Sequence, residues 1–145
     1  MQNLNPEQRD SYPHFTDITT RWMDNDAYGH INNAVYYSFF DSVSNSFLVH
    51  KAGFDIENAP VIGFVVASEC QYRSAISYPD NVEVGFRVNK LGNSSVQYGM
   101  GVFKKNAQQA AAFGTFTHVF VDRNTNRSVP IPKIIRNALE KVCVA

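Results

Sequence analysis

The stretch RWMDNDAYGHINNAVYYSFFD (residues 21–41) decides the fold, because a polar, turn-forming segment changes within it directly into a helix pattern. The polar half carries two carboxylates, a glycine, a histidine and two asparagines, at Asp24, Asp26, Gly29, His30, Asn32 and Asn33. The apolar positions then recur at three- and four-residue steps, which is the spacing of one helical face, at Tyr36, Phe39, Phe40, Val43 and Phe47. The pattern predicts a buried helix that follows a carboxylate-bearing loop.

Both ends of this helix carry recognisable signals. Asn32 or Asn33 is a suitable N-cap, and Gly53 is a suitable stop. The free N–H groups at the start of the helix therefore point toward the loop that carries Asp26. A carbonyl group bound there would be polarised by the N–H groups and open to attack by the carboxylate.

Length and composition limit the classes of protein to consider. The chain has 145 residues, which predicts a single domain over 1–145 with a real core. Its 13 basic and 13 acidic side chains balance, so no basic field favours nucleic acid or an anionic membrane. The polar start does not resemble a signal peptide and only Cys70 and Cys143 are present, so we expect a soluble cytoplasmic protein with reduced thiols.

The order of the remaining elements indicates an α+β fold. Residues 1–14 resemble a loosely held, flexible polar arm, and residues 17–23 a first strand. After the helix, four strand patterns joined by short polar turns cover 61–73, 82–91, 94–105 and 108–122, followed by a short amphipathic helix over 131–141. One helix covers only one face of a five-stranded antiparallel sheet, so we expect a second copy of the chain to cover the other face or an edge.

Several familiar catalytic patterns are missing. The chain has no G-x-S-x-G elbow, no complete dinucleotide fingerprint, no C-x-x-C and no H-E-x-x-H, and its histidines are scattered at His14, His30, His50 and His118. We therefore expect no metal and no cofactor. The chemistry must come from carboxylates, amides and backbone groups.

Asp26 is the main catalytic candidate, as a nucleophile or as a general base, because a helix N-terminus favours a nearby carboxylate in its charged form. The alternative is that Asp24 and Asp26 only stabilise turns. Gly29 predicts a left-handed backbone or a close approach of substrate, and His30 either bonds the substrate or packs. The backbone N–H of Asn33 could donate to an oxyanion.

Five further residues are weaker candidates for binding substrate. The side chain of Asn32 is expected to cap the helix, and Tyr36 lies at its start. Glu69 stands in a run that suggests burial, so it either pairs with a basic residue such as Arg73 or lines a pocket, where it would be a reserve catalytic carboxylate. Ser94 and Ser95 follow a turn and could bind a polar ligand, although serines are common there.

The motif R-W-x-D-x-D-x-x-G-H-x-N-N-x-x-Y, which begins at Arg21, resembles the hotdog-fold acyl-CoA thioesterases of the 4-hydroxybenzoyl-CoA thioesterase type. The form GHINNAVYYSFFD is most similar to their long-chain acyl-CoA branch, and SYPDNVEV, LGNSSVQY and SVPIPKIIRNAL follow in the family's order. The resemblance implies a helix wrapped by a curved antiparallel sheet, with active sites between the subunits of dimers that join their sheets edge to edge, or of tetramers. It places Asp26 on the catalytic aspartate, Asn33 on the helix-start donor and Gly29 between them.

The first hypothesis is therefore hydrolysis of an acyl-CoA thioester, which is the substrate, to a free acid and coenzyme A. A second is hydration of an enoyl thioester on the same fold, but hotdog hydratases carry an Asn-Pro and a histidine five positions after the aspartate. Here His30 follows Asp26 by four and no Asn-Pro intervenes. A third is a non-catalytic acyl-CoA binder or structural oligomer.

Overall fold

Five antiparallel strands form one sheet in the order β1-β3-β4-β5-β2, and a long helix lies across one of its faces. The computed structural model describes residues 4–144. The elements are β1 His14–Thr19, α1 Val35–Ala52, β2 Val61–Tyr72, β3 Asn81–Leu91, β4 Ser95–Lys104, β5 Ala112–Asp122 and α2 Lys133–Glu140. The predicted α+β architecture, with its long helix, five-stranded sheet and short C-terminal helix, is confirmed.

Helix α1 buries the face that its periodicity predicts. All five apolar positions of that face are buried, and Phe47 stacks on Phe86 of β3 with ring centroids 4.7 Å apart. Gly53 adopts a left-handed φ of 66° and its N–H bonds to the Leu48 carbonyl, so the predicted stop is confirmed. Because the apolar stripe sits on the sheet, burial of these large side chains holds the helix in place.

The first strand lies earlier than the sequence predicts. The prediction was 17–23, whereas β1 covers His14–Thr19 and Trp22–Asp24 form a 3-10 turn. The Asp24 carboxylate accepts the Arg21 backbone N–H at 2.8 Å, which closes this turn. The β-branched and aromatic run therefore ends in a turn because a local carboxylate competes with strand pairing.

The segment before β1 is packed against the outer face of the sheet, so the prediction of a loose arm is wrong for residues 5–12. Arg9 forms a 2.7 Å ion pair with Glu83 of β3. Tyr12 is 5% exposed, and its hydroxyl donates to the Pro6 carbonyl at 2.7 Å. Residues 1–3 of the predicted arm lie outside the described part of the chain.

The tyrosine fits because β3 and β4 carry glycines beneath it. A Cβ added at Gly85 would lie 2.6 Å from the Tyr12 ring, and one at Gly101 would lie 2.8 Å from it. These glycines provide the space in which an aromatic ring attaches the N-terminal segment to the sheet.

The two edges of the sheet differ. Strand β1 has six residues and carries Asp17, whereas β2 has twelve and exposes Phe64, Val65 and Val66 by 42%, 43% and 59%. A register shift marks a bulge between Val65 and Ala67. A long apolar edge strand is a surface for pairing with another strand. The expected second copy of the chain stays a prediction.

No helix within residues 4–144 is both long and apolar enough to cross a membrane.

We predict that Gly85→Ala lowers the free energy of unfolding by about 1–3 kcal/mol, because the new methyl group overlaps the Tyr12 ring. Chemical denaturation measures the effect. In a Tyr12→Ala background the same substitution should cost less, since the ring is gone. Equal costs in the two backgrounds would show that Tyr12 does not occupy this space.

Candidate active site

A tight turn positions the Asp26 carboxylate. The Gly29 N–H donates to the Asp26 carbonyl at 3.0 Å, and the Asp26 N–H donates to the His30 carbonyl at 2.9 Å. The carboxylate Oδ1 accepts the Tyr28 N–H at 2.9 Å, which fixes the side chain over the turn. Gly29 has a φ of 83°, so the predicted left-handed backbone is confirmed.

The loop is held against the residues that follow β2. The Ile31 N–H donates to the Ile76 carbonyl at 2.7 Å, and the Ser77 hydroxyl donates to the Gly29 carbonyl at 2.9 Å. Ile31 is also buried among the core side chains. Two polar bonds and one apolar contact thus fix the loop although it has no regular secondary structure.

The start of α1 is shaped by Asn32. Its side-chain Oδ1 accepts the Ala34 N–H and its carbonyl accepts the Val35 N–H, both at 2.9 Å. The helix begins at Val35 with Ala34 as the N-cap, so the prediction of an asparagine N-cap is wrong by one or two positions. The Asn32 side chain thus closes a turn just before the helix, and the expected capping of α1 by this side chain is wrong, because its acceptor binds the Ala34 N–H and no N–H within the helix.

Asn33 directly precedes the N-cap residue Ala34. Its carbonyl accepts the Tyr72 hydroxyl at 2.8 Å, which ties the helix start to the end of β2. Among residues 4–144 its backbone N–H has no acceptor. This N–H is therefore available to a ligand at the positive end of the helix dipole.

Asp26 and Asn33 line the same cavity, which has a volume of about 400 Å³. Asp26 is partly buried, whereas Asn33 and His30 are exposed. The other lining residues come from the loop, the first turn of α1, the end of β2 and the segment after it, at Tyr28, Ile31, Tyr36, Tyr72, Arg73, Ser74 and Ala75. Nowhere in residues 4–144 do three or more His, Cys, Asp or Glu side chains gather as metal ligands would.

Two tyrosines form one wall of the cavity. The rings of Tyr36 and Tyr72 meet edge to face with centroids 5.1 Å apart. Burial raises the pKa of Tyr36 to about 12 and also raises the pKa of Tyr72. Both phenols therefore remain neutral at physiological pH, and Tyr72 keeps the proton that it donates to Asn33.

A family model described as the thioesterase-like superfamily matches residues 20–139, which is most of the chain. The chain belongs to this family.

Three relatives illustrate the range of the likeness. The PA5185 protein of Pseudomonas aeruginosa is 47% identical, with a TM-score of 0.93 over 94% of this chain and 96% of its own. The 1,4-dihydroxy-2-naphthoyl-CoA thioesterase Slr0204 from Synechocystis is 12% identical, with a TM-score of 0.80 over 88% and 96% of the two chains, and shows the shared fold. The YsmA protein of Bacillus subtilis is 23% identical over 90 residues, which span 62% of this chain and 60% of its own length.

Asp24 stabilises the fold of the loop and does not line the cavity. Its side chain is 1% exposed and binds Arg21, whose side chain is 62% exposed, at 2.8 Å. Hydrogen bonding to the carboxylate raises the pKa of Arg21. The Asp24 carbonyl also accepts the Asn32 N–H at 2.9 Å. Of the two carboxylates in the loop, only Asp26 reaches the cavity.

The expected burial of Glu69 is wrong, because β2 is an edge strand whose side chains face solvent. Arg73 pairs with Glu7 at 3.1 Å instead of with Glu69. Glu69 lines a separate cavity of about 150 Å³ on the outer face, beside Arg87 and Thr115. The structure therefore does not bring Glu69 to the Asp26 cavity, and its role as a reserve carboxylate stays a prediction.

Ser94 and Ser95 are also remote from Asp26 within one chain. Ser95 pairs with Val119 of β5, and Val119 pairs with Phe64 near the start of β2. The Asp26 cavity lies beside Tyr72, at the other end of β2. Substrate binding by the two serines stays a prediction that the fold of one chain does not support.

Tyr72 and the residues after it were not predicted from the sequence as part of the site. Tyr72 lies 39 residues after Asn33, so its hydroxyl bond could be found only by placing the end of β2 beside the helix start. The run Tyr72–Ser77 carries no motif of its own. Its only sequence signal is the turn chemistry at Pro79 and Asp80, which predicts a chain reversal there.

We predict that Asp24→Ala lowers the free energy of unfolding by about 1–3 kcal/mol, because the buried carboxylate holds the 3-10 turn through charge-assisted hydrogen bonds. Asp26→Ala removes one bond on a partly exposed turn and should cost less than about 1 kcal/mol. Urea denaturation compares the two. A larger loss for Asp26→Ala would contradict the structural role of Asp24.

Proposed function

We propose that this chain hydrolyses acyl-CoA thioesters to a free acid and coenzyme A. The observation that carries the proposal is that the Asp26 carboxylate and the unpartnered N–H of Asn33 line one cavity. Membership of the thioesterase-like superfamily supports thioester hydrolysis as the class of reaction.

The start of α1 would act on the substrate carbonyl. A thioester oxygen that accepts the Asn33 N–H lies at the positive end of the helix dipole, which stabilises negative charge on the oxygen as it develops. The bond from the Ala34 N–H to Asn32 Oδ1 and the bond from the Tyr72 hydroxyl to the Asn33 carbonyl fix the backbone around this N–H. The donor is thus held in place before the substrate arrives.

Asp26 would supply the second component. In one route its oxygen adds to the carbonyl carbon, the C–S bond breaks, coenzyme A leaves as thiolate, and water cleaves the resulting anhydride. In the other route Asp26 takes a proton from water, the water oxygen adds to the carbonyl carbon, and the C–S bond then breaks so that coenzyme A leaves as thiolate. Both routes end with the same acid and thiol. Gly29 holds the turn in both, and His30 lies at the cavity where it can bond substrate or water.

The proposal extends to the type of acyl group that the substrate carries. The motif resembles the 4-hydroxybenzoyl-CoA type and most closely its long-chain branch. Tyr36 and Tyr72 give the cavity an apolar wall that suits either an aromatic or an aliphatic acyl group. A panel of acyl-CoAs that varies chain length and includes an aromatic member distinguishes the two.

We predict that Asp26→Asn and Asp26→Ala each lower kcat by at least about 10²-fold, the loss typical of a missing transition-state contact. Released thiol measures the rate on the acyl-CoA panel. Asp41→Asn, an exposed change on α1, is the matched control and should keep full activity. Near-normal turnover by both Asp26 variants would exclude Asp26 from the mechanism.

Crotonyl-CoA is included in the panel as a test for hydration. Tight binding of acyl-CoAs without release of thiol by the unmodified chain would indicate a binding protein and contradict the proposal.

We also propose that the chain forms a homodimer through β2. This edge is twice as long as β1, and Glu69 is the only charged residue among its twelve. The commonest homo-oligomer is a two-fold dimer, in which an edge strand pairs antiparallel with its own copy. Such pairing covers the exposed side chains of Phe64, Val65 and Val66.

We predict that Val66→Lys shifts the chain to the monomer, because it places a charge at the centre of the proposed interface. Sedimentation equilibrium measures the mass. Thr19→Lys puts the same charge on the exposed part of β1 and should leave the dimer intact. Monomeric mass for the unmodified chain, or dimeric mass for Val66→Lys, would contradict the β2 interface.

A further inference from the structure

The outer face of the sheet holds a buried cation beneath the N-terminal segment. Arg87 of β3 is 6% exposed, and its guanidinium carbon lies 5.2 Å from the centre of the Tyr12 ring. A Cβ added at Gly99 of β4 would lie 2.9 Å from Arg87 Nε, so the glycine makes room for the arginine to extend over β4. The guanidinium is thus enclosed between the sheet and the residues that precede β1.

Every hydrogen-bond acceptor that this guanidinium meets within residues 4–144 is neutral. Nε donates to Asn89 Oδ1 at 2.7 Å, Nη1 to the Ser11 carbonyl at 3.4 Å and Nη2 to the Leu4 carbonyl at 3.1 Å. No ion pair joins Arg87 to a carboxylate in the same part of the chain. A buried charge without a counter-ion is costly, so an anion bound at Arg87 would stabilise it.

The guanidinium has N–H groups left for such an anion. An arginine side chain carries five N–H groups, and the bonds to Asn89, Ser11 and Leu4 use one on each nitrogen. One N–H on Nη1 and one on Nη2 therefore have no acceptor in the described range 4–144. A carboxylate has two oxygens that can accept both. Burial lowers the pKa of Arg87, yet arginine keeps its charge in proteins, so the anion would meet a full positive charge.

A cavity of about 150 Å³ adjoins Arg87 beneath Pro6 and Tyr12. Asn89 lines it on the side of β3, and Gln71 lines it on the side of β2. A cavity of this volume holds a molecule of about six non-hydrogen atoms, as an apolar cavity of similar size holds benzene. The space therefore suits a small ligand.

The side of the cavity opposite Arg87 carries a carboxylate. The register of the sheet puts one residue of each strand in a row from β3 to β2, namely Arg87, Gly99, Thr115 and Glu69. Because the arginine extends over β4, two strand spacings of about 4.8 Å each separate it from β2. Among residues 4–144, Glu69 forms no ion pair with Arg87 or with any other cation. The cavity thus has a positive end and a negative end, neither of which has a counter-ion in this range.

We infer that this cavity binds a small amino acid, whose carboxylate bonds Arg87 and whose ammonium group pairs with Glu69. A simple anion would face the Glu69 carboxylate, and a simple amine would face the guanidinium. An amino acid complements both ends, and the hydroxyl of Thr115 and the amides of Gln71 and Asn89 can bond its remaining polar positions. The cavity shares no lining residue with the Asp26 cavity, so the inference does not depend on thioester hydrolysis.

Three amino acids of increasing length probe the cavity, namely glycine, β-alanine and 4-aminobutyrate. Propionate lacks the ammonium group of β-alanine, and propylamine lacks the carboxylate. The rise of the thermal unfolding midpoint with ligand concentration, at fixed ionic strength, gives each Kd. We expect at least one amino acid to bind with a Kd on the order of 1 mM, which a ligand of this size can reach. It should bind about tenfold or more tightly than propionate and propylamine, because each of those loses one charged hydrogen bond.

Glu69→Gln removes the negative end and keeps the size of the side chain. Glu69 is exposed on an edge strand, so folding is little affected. We predict that the Kd for the amino acid rises about tenfold or more, whereas the Kd for propionate does not rise. Glu57→Gln makes the same change at an exposed residue outside the cavity and should alter neither Kd.

Arg87→Gln removes the positive end. It should abolish the binding of both the amino acid and propionate, because the fork that receives the carboxylate is gone. Arg127→Gln makes the same change at an exposed residue outside the cavity and should preserve binding. Arg87 also holds the Leu4 and Ser11 carbonyls, so the Glu69→Gln comparison decides alone if the Arg87 variant does not fold.

Three results would overturn the inference. One is that none of the three amino acids raises the unfolding midpoint of the unmodified chain. Another is that propionate binds as tightly as the best amino acid, which would indicate a site for simple anions. The third is that Glu69→Gln binds the amino acid as tightly as the unmodified chain, which would place the ligand elsewhere. Thiol release is measured separately, so each of these results leaves the proposed thioesterase function in place.

Discussion

A loop without regular secondary structure must find partners for its own backbone polar groups, and the rest of the site depends on how this chain meets that requirement. After β2, the Ile76 carbonyl accepts the Ile31 N–H, and the Ser77 hydroxyl donates to the Gly29 carbonyl. These bonds fix the loop beside the end of the edge strand β2, whose last residue, Tyr72, lines the cavity. The Asp26 carboxylate on this loop therefore keeps a fixed position relative to the helix start. Catalysis by proximity and orientation requires such fixed positions.

The helix and the sheet could be predicted from the sequence because their signals are periodic and local. The apolar stripe of α1, its stop at Gly53 and the four later strands agree with the structure, except that β5 begins at Ala112, four residues later than predicted. The errors occur where a single side chain overrides a pattern. Asp24 closes a turn in a strand-like run, and Tyr12 attaches a polar segment to the sheet through contacts more than 70 residues away along the chain.

The candidate site could be predicted in part. Asp26, Gly29, His30, Asn33 and Tyr36 lie within eleven residues. Local chain geometry brings four of them to one cavity, with Gly29 forming the turn beside it. The predicted burial of Glu69 was wrong because a strand pattern indicates burial only when the neighbouring strands and the covering layer are known. Tyr72 was missed for the complementary reason, since no local pattern reveals a bond to a carbonyl 39 positions away.

In the proposed β2 dimer, the hydroxyl bond of Tyr72 would couple assembly to the geometry of the helix start. The residue ends the free edge strand and at the same time holds the Asn33 carbonyl at the start of α1. Any contact that restrains this edge also restrains the helix start, and by reciprocity a ligand that orders the helix start favours the contact. In the proposed β2 dimer, the concentration of the proposed acyl-CoA substrate and the affinity between subunits would measure one thermodynamic linkage, carried by the Tyr72 hydroxyl.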